Sequence, residues 1–167
     1  MKNWTLLLAL LLGTMSFGLA QKTKEEKEFV AIKKIITQET NAFFNRDYDA
    51  WASCFLHVPE SLQAWSNPDG SYTASVGWEL IDLQGRMVID NSEPLTNLVY
   101  RDNFTYRYYG EGAYVTFDQY LGDKALVQPS KEVRVLEKVN GEWKIICVAA
   151  FGDYSDAATQ QASNRNR

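Results

Sequence analysis

The sequence has little to coordinate a metal with and little to grip a nucleic acid. It contains one histidine and two cysteines, which give no ligand spacing for a zinc-type site. The formal net charge is −4 and the basic residues form no stripe, so nucleic acid is a poor partner. No Gly-rich phosphate loop occurs. No Ser, Cys or Thr sits in a recognisable nucleophile motif, which disfavours covalent catalysis. Beyond the first twenty residues no apolar run approaches the roughly 20 residues a bilayer requires. No internal repeat is visible.

What is present begins with a leader. Lys2 supplies a positive start, Leu6 to Leu12 is a short apolar run, and Gly18-Leu19-Ala20 places small residues where a signal peptidase reads. Residues 1–20 are therefore expected to be a secretory signal peptide cut before Gln21, giving a secreted or periplasmic protein. No cysteine follows the cut, which argues against a lipoprotein. Residues 21–154 have the size of one domain, and the Asn/Gln/Arg-rich stretch 155–167 reads as a disordered polar tail. Cys54 and Cys147 are either a disulfide or two buried thiols.

Apolar spacing predicts a helix from Thr23, with Glu26 completing a capping box, to Arg46. A second short helix starts at the N-cap Asp47 and ends before Pro59. Two short strands flank Asn67-Pro68-Asp69-Gly70. A third helix runs from Gly77 to about Ile89, weakened by its internal Gly85. Then come two β-hairpins, 103–121 around Gly110-Glu111 and 131–151 around Asn140-Gly141, the latter the strongest type I′ signal in the chain. Helices first and long strands after predict an α+β protein, with helices folded onto one face of a strongly curved antiparallel sheet.

In the last hairpin the turn sets the register. Counting from it places Arg134 opposite Cys147, on one face with Leu136, Trp143, Ile145, Cys147 and Ala149. A half-buried arginine either pairs with a buried acid or takes an anionic ligand through its planar fork. Glu39 lies on an apolar helical stripe, where it is a pKa-shifted general base, a stripe edge or an arginine partner. His57 follows the second helix, as a site residue or as a helix-end dipole partner. Asp118 falls on the face away from Phe104 and Phe117. Trp51, Trp65, Tyr72, Trp78 and Trp143 either line an apolar pocket or pack the core. Asn103-Phe104-Thr105 is a glycosylation sequon only in a eukaryotic secretory pathway.

The order of elements resembles the nuclear transport factor 2-like (NTF2-like) superfamily. This includes SnoaL-like cyclases, ketosteroid isomerases and the association domain of calcium/calmodulin-dependent kinase. Three stretches carry the resemblance: Asn45-Arg46-Asp47-Tyr48-Asp49-Ala50-Trp51, Ala113-Tyr114-Val115-Thr116-Phe117-Asp118-Gln119, and Glu132 to Leu136 followed by Asn140 to Ile145. The resemblance implies a cone-shaped roll with an internal pocket and a homodimer formed through the outer sheet face. It implies that Arg134 points into that pocket, and that Asp118 is similar to the catalytic carboxylates of superfamily enzymes. It also exposes a departure, because the positions of Cys147 and Ala149 are commonly histidines in the association-domain and related branches.

The expectation is a cofactor-free, metal-free pocket protein binding a small, mainly apolar ligand whose anionic group meets Arg134. Trp51, Trp65, Tyr72, Trp78, Trp143 and Cys147 would stand around that ligand. The alternative is an acid–base lyase or isomerase using Glu39, His57 and Asp118. A third reading is an association domain. A common fold does not choose among them.

Overall fold

The computed structural model of the chain describes residues 4–95, 99–122, 129–152 and 154. It divides into two compact units, residues 1–34 and 35–167. The first holds most of helix α1 (Trp4–Asn45), which runs on without a break through Thr23. The predicted start at Thr23 is thus not a helix end here. Leu, Ala and Met, which dominate the leader, favour the helix and offer nothing to stop it. No described helix is long and apolar enough to cross a membrane. The tail 155–167 lies outside the described residues.

The second unit contains the rest of α1, then α2 (Tyr48–Ala52), β1 (Leu62–Ser66), β2 (Tyr72–Val76), α3 (Trp78–Asn91), β3 (Val99–Tyr109), β4 (Gly112–Leu121), β5 (Ser130–Val139) and β6 (Glu142–Phe151). It is α+β, with a curved, unclosed six-stranded sheet in the order β2-β1-β6-β5-β4-β3. All neighbours are antiparallel except β1 and β6, which pair in parallel. The first and last strands therefore meet mid-sheet, the one parallel pairing in an otherwise antiparallel sheet.

Helix α2 is a single turn. Asp47 caps it by accepting from the Ala50 amide at 3.1 Å. It stops at Ala52, well before Pro59, because Phe55 leaves to bridge Ile145 of β6. There Ile145 donates to Cys54 O and Leu56 donates to Ile145 O, both at 2.8 Å. Both cysteines are free thiols. Burial, with Glu39 adding to it, pushes the Cys54 thiol up to about 11.

Two β-bulges decide which side chains share a face. In β5–β6 the turn-proximal register is as predicted, with Val139 opposite Glu142 and Glu137 opposite Lys144. Then the register shifts between Val135 and Leu136, so that Val135 faces Cys147 and Arg134 faces Val148. One extra residue on β6 reverses the alternation beyond it. Cys147 and Ala149 therefore lie on the face opposite Arg134, which corrects the placement of Cys147 beside it. In β3 the shift falls between Asp102 and Thr105. It is built on Asn103, whose φ of 52° is a left-handed conformation that Asn tolerates better than most residues. Asn103 Nδ2 then donates to Asp118 Oδ2 at 2.7 Å on the outer face. Arg101, which unbroken alternation would place beside Thr105 and Arg107 on the outer face, pairs instead with Gln119 on the inner one.

Candidate functional site

The inner sheet face is read off the registers as two rows. One crosses the sheet as Thr73, Trp65, Ala150, Glu132 and Phe117. The next runs Ser75, Gln63, Val148, Arg134 and Val115. Adjacent strands are about 4.8 Å apart, so Trp65 and Glu132 stand roughly 10 Å from each other on one continuous wall. Over this wall lie the C-terminal part of α1, carrying Ile36, Glu39, Thr40 and Phe43, and the helix α3.

At the centre of the wall is a buried charge cluster. Arg134 is only 3% exposed. Its Nη1 donates to Glu132 Oε2 at 2.9 Å and to Val133 O at 3.0 Å. Its Nη2 lies 3.8 Å from Glu39 Oε2, an oxygen that also accepts from Thr40 Oγ1 at 3.0 Å. Ser130 Oγ donates to the other oxygen of Glu132 at 2.5 Å. The β3 bulge brings Arg101 to the same place, where its Nε donates to Gln119 Oε1 at 2.9 Å. Both guanidinium groups lie near the Phe117 ring, at 5.4 Å for Arg134 and 6.0 Å for Arg101. Burial pulls the Arg101 guanidinium below its usual value; Arg134 adds to this, while Glu39 and Glu132 oppose it. Two arginines and two glutamates balance. Arg134 Nε and Arg101 Nη2 remain without a hydrogen-bond partner.

Beside the cluster the wall opens into a cavity of about 390 Å3. The sheet contributes Gln63, Trp65 and Thr73, α1 contributes Phe43, and α3 contributes Gln84, Gly85, Met87 and Val88. A second cavity of about 660 Å3 lies at the start of α3, lined by His57, Pro59, Val76, Trp78, Glu79, Leu80 and Leu83 among others.

Of the residues singled out in the sequence, Glu39 and Arg134 come together. The other proposed catalytic residues do not join them. Asp118 is on the outer face, where it accepts from Lys131 Nζ and Asn103. His57 stacks on Trp78 at 3.7 Å, accompanied by an Nε2 contact of 2.9 Å to Ala52 O, and lines the other cavity. Trp51 is fully buried, and Trp143 is 5% exposed beside Tyr108, so both are core residues. Tyr72 pairs with Ser66 on the face opposite Trp65 and is 78% exposed. Of the expected pocket aromatics only Trp65 lines the cavity on Arg134's wall. Burial, opposed by Arg134, raises the Cys147 thiol. Among the described residues no group of side chains is arranged to hold a metal ion.

Sequence reasoning missed Glu132, Arg101, Phe43, Gln63 and Gln84. Glu132 was legible, since it is two residues before Arg134 on one strand and shares its face. Arg101 was not, because only the bulge at Asn103 turns it inward.

No family model and no curated protein matches the chain. Solved structures do. The chain superposes on a candidate dehydratase of the NTF2-like family from Streptomyces avermitilis with a TM-score of 0.61, at 16% identity over 77% of this chain and 98% of that one. It is similar to an NTF2-like protein of unknown function from Shewanella baltica, with a TM-score of 0.55 and 14% identity over 74% and 92%. It is also similar to a candidate calcium/calmodulin-dependent protein kinase type II association domain from Thiobacillus denitrificans, with a TM-score of 0.56 and 11% identity over 72% and 94%. The fold is therefore NTF2-like, as the sequence resemblance implied; at these identities the likeness speaks for fold alone.

Proposed function

We propose that the protein binds a small, mainly apolar molecule on the inner sheet face, in the cavity between Trp65, Phe43 and helix α3. The observation that carries this is the cavity itself. Its volume falls in the usual range for small-molecule sites, its walls are aromatic and aliphatic, and a few polar groups converge on it. The part of the expectation that assigned a ligand anion to Arg134 is not carried forward. Glu132 and Glu39 already occupy that guanidinium, and a ligand anion would have to displace a buried carboxylate. Export through the leader and a homodimer through the outer sheet face belong to the same proposal. Sedimentation velocity of the cleaved chain tests the dimer, and a monomer at micromolar concentration counts against it.

Native mass spectrometry of the protein after incubation with organic extracts tests the binding. The expected result is a retained small-molecule mass that is lost, at least tenfold, in Trp65→Ala. Apo protein from every extract would defeat the reading.

A second reading, an acid–base lyase or isomerase, is favoured by one observation: Glu39 is buried against Arg134 and Thr40. It lacks the assembled partners, since Asp118 and His57 lie elsewhere. It would require Glu39→Gln to abolish turnover of a bound ligand while leaving its affinity intact.

A further inference from the structure

The polar groups of the Trp65 cavity are not interchangeable. Ser75 is fully buried, one register step from Thr73 on β2, and its hydroxyl donates to Gln84 Oε1. That fixes the Gln84 amide. With the carbonyl oxygen held by Ser75, the NH2 group, which has no described partner, remains free to donate to a ligand in the cavity that Gln84 lines. Thr73 Oγ1 accepts from Asn67 Nδ2 at 3.1 Å, which leaves its own proton to give. Donors from α3 and from β2 therefore line one space, with the Gln63 amide beside them on β1, and none of the described residues lining it is charged. A charged ligand group would meet no counter-ion in that lining. A neutral acceptor would meet donors already in place.

We infer that the cavity selects an uncharged ligand through a carbonyl oxygen, with Gln84 as the specificity-determining residue and Ser75 as the residue that positions it. This rests on the binding proposed above and names the ligand's chemistry: an apolar body with a ketone-, amide- or ester-type acceptor, and not a carboxylate. One neutral hydrogen bond is worth roughly a three- to tenfold difference in affinity.

Isothermal titration calorimetry with three ligands of one shape tests this: 2-acetylnaphthalene, 2-ethylnaphthalene and 2-naphthoate. The ketone is expected to bind three- to tenfold more tightly than the hydrocarbon, and the carboxylate most weakly. Gln84→Leu should cut the ketone's advantage over the hydrocarbon at least twofold, with Thr73 supplying what remains. Ser75→Ala, which frees the amide to turn, should reduce the same preference and serves if Gln84→Leu does not fold. Equal binding of ketone and hydrocarbon to the wild-type chain, or a preference untouched by both variants, overturns the carbonyl selection and leaves the cavity as a binding site. Binding of none of the three overturns both.

Discussion

Replacing Gly85 with alanine is expected to destabilise the protein by about 2–3 kcal/mol, the upper part of the range for overpacking a rigid core. On an exposed helix the same change stabilises by about 1 kcal/mol, because Gly is a poor helix former. Here a Cβ would stand 2.1, 2.5 and 2.9 Å from three ring atoms of Trp51. That ring has nowhere to go. It is fully buried, with Phe43, Tyr48, Phe55 and Trp78 at centroid distances of 5.1 to 6.1 Å. The tight approach of α3 to α2 at Gly85 also sets where Gln84, Met87 and Val88 meet the sheet. Urea denaturation followed by far-UV circular dichroism measures the effect. The double change Gly85→Ala with Trp51→Leu removes the opposing ring atoms, so the alanine should then cost nothing beyond the Trp51→Leu change itself. Wild-type stability in Gly85→Ala alone would show that the helix does not lie where this packing puts it.

Gly85 also shows what a sequence conceals. Its cost to the helix is visible in one dimension, whereas its reason, a tryptophan thirty-four positions earlier, is not. The elements were legible because turns announce themselves locally. Asn140 and Gly141 take the positive φ values, 53° and 84°, that a type I′ turn demands, and the register next to that turn followed. The site was less legible because faces propagate along a strand by counting, and a bulge silently resets the count. Nothing in Ile145-Ile146 marks the bulge that sends Cys147 outward. Asn103 is at best a weak mark for the bulge that brings Arg101 inward. The parallel pairing of β1 with β6 joins residues some eighty positions apart, and only that pairing sets Trp65 and Gln63 on the wall that holds Arg134.

Arg134→Met is the other substitution with a large expected effect, about 3–5 kcal/mol, because removing one partner of a buried ion pair strands the other. Glu132, 2% exposed, would lose its nearest cation, and Glu39 would keep only Arg101 in the cluster. If charge balance is the cause, adding Glu132→Gln to Arg134→Met should recover at least half of the loss, since one arginine then faces one glutamate again. Urea midpoints of the two variants check this, and a loss below about 1 kcal/mol in Arg134→Met would mean that the cluster is not the paired, water-excluded centre its distances describe. The double variant also separates structure from recognition. If Arg134 received a ligand anion, Arg134→Met with Glu132→Gln would fold and bind nothing. If the cluster is a structural centre beside a cavity that reads neutral acceptors, the double variant should keep its affinity for 2-acetylnaphthalene while Trp65→Ala loses it.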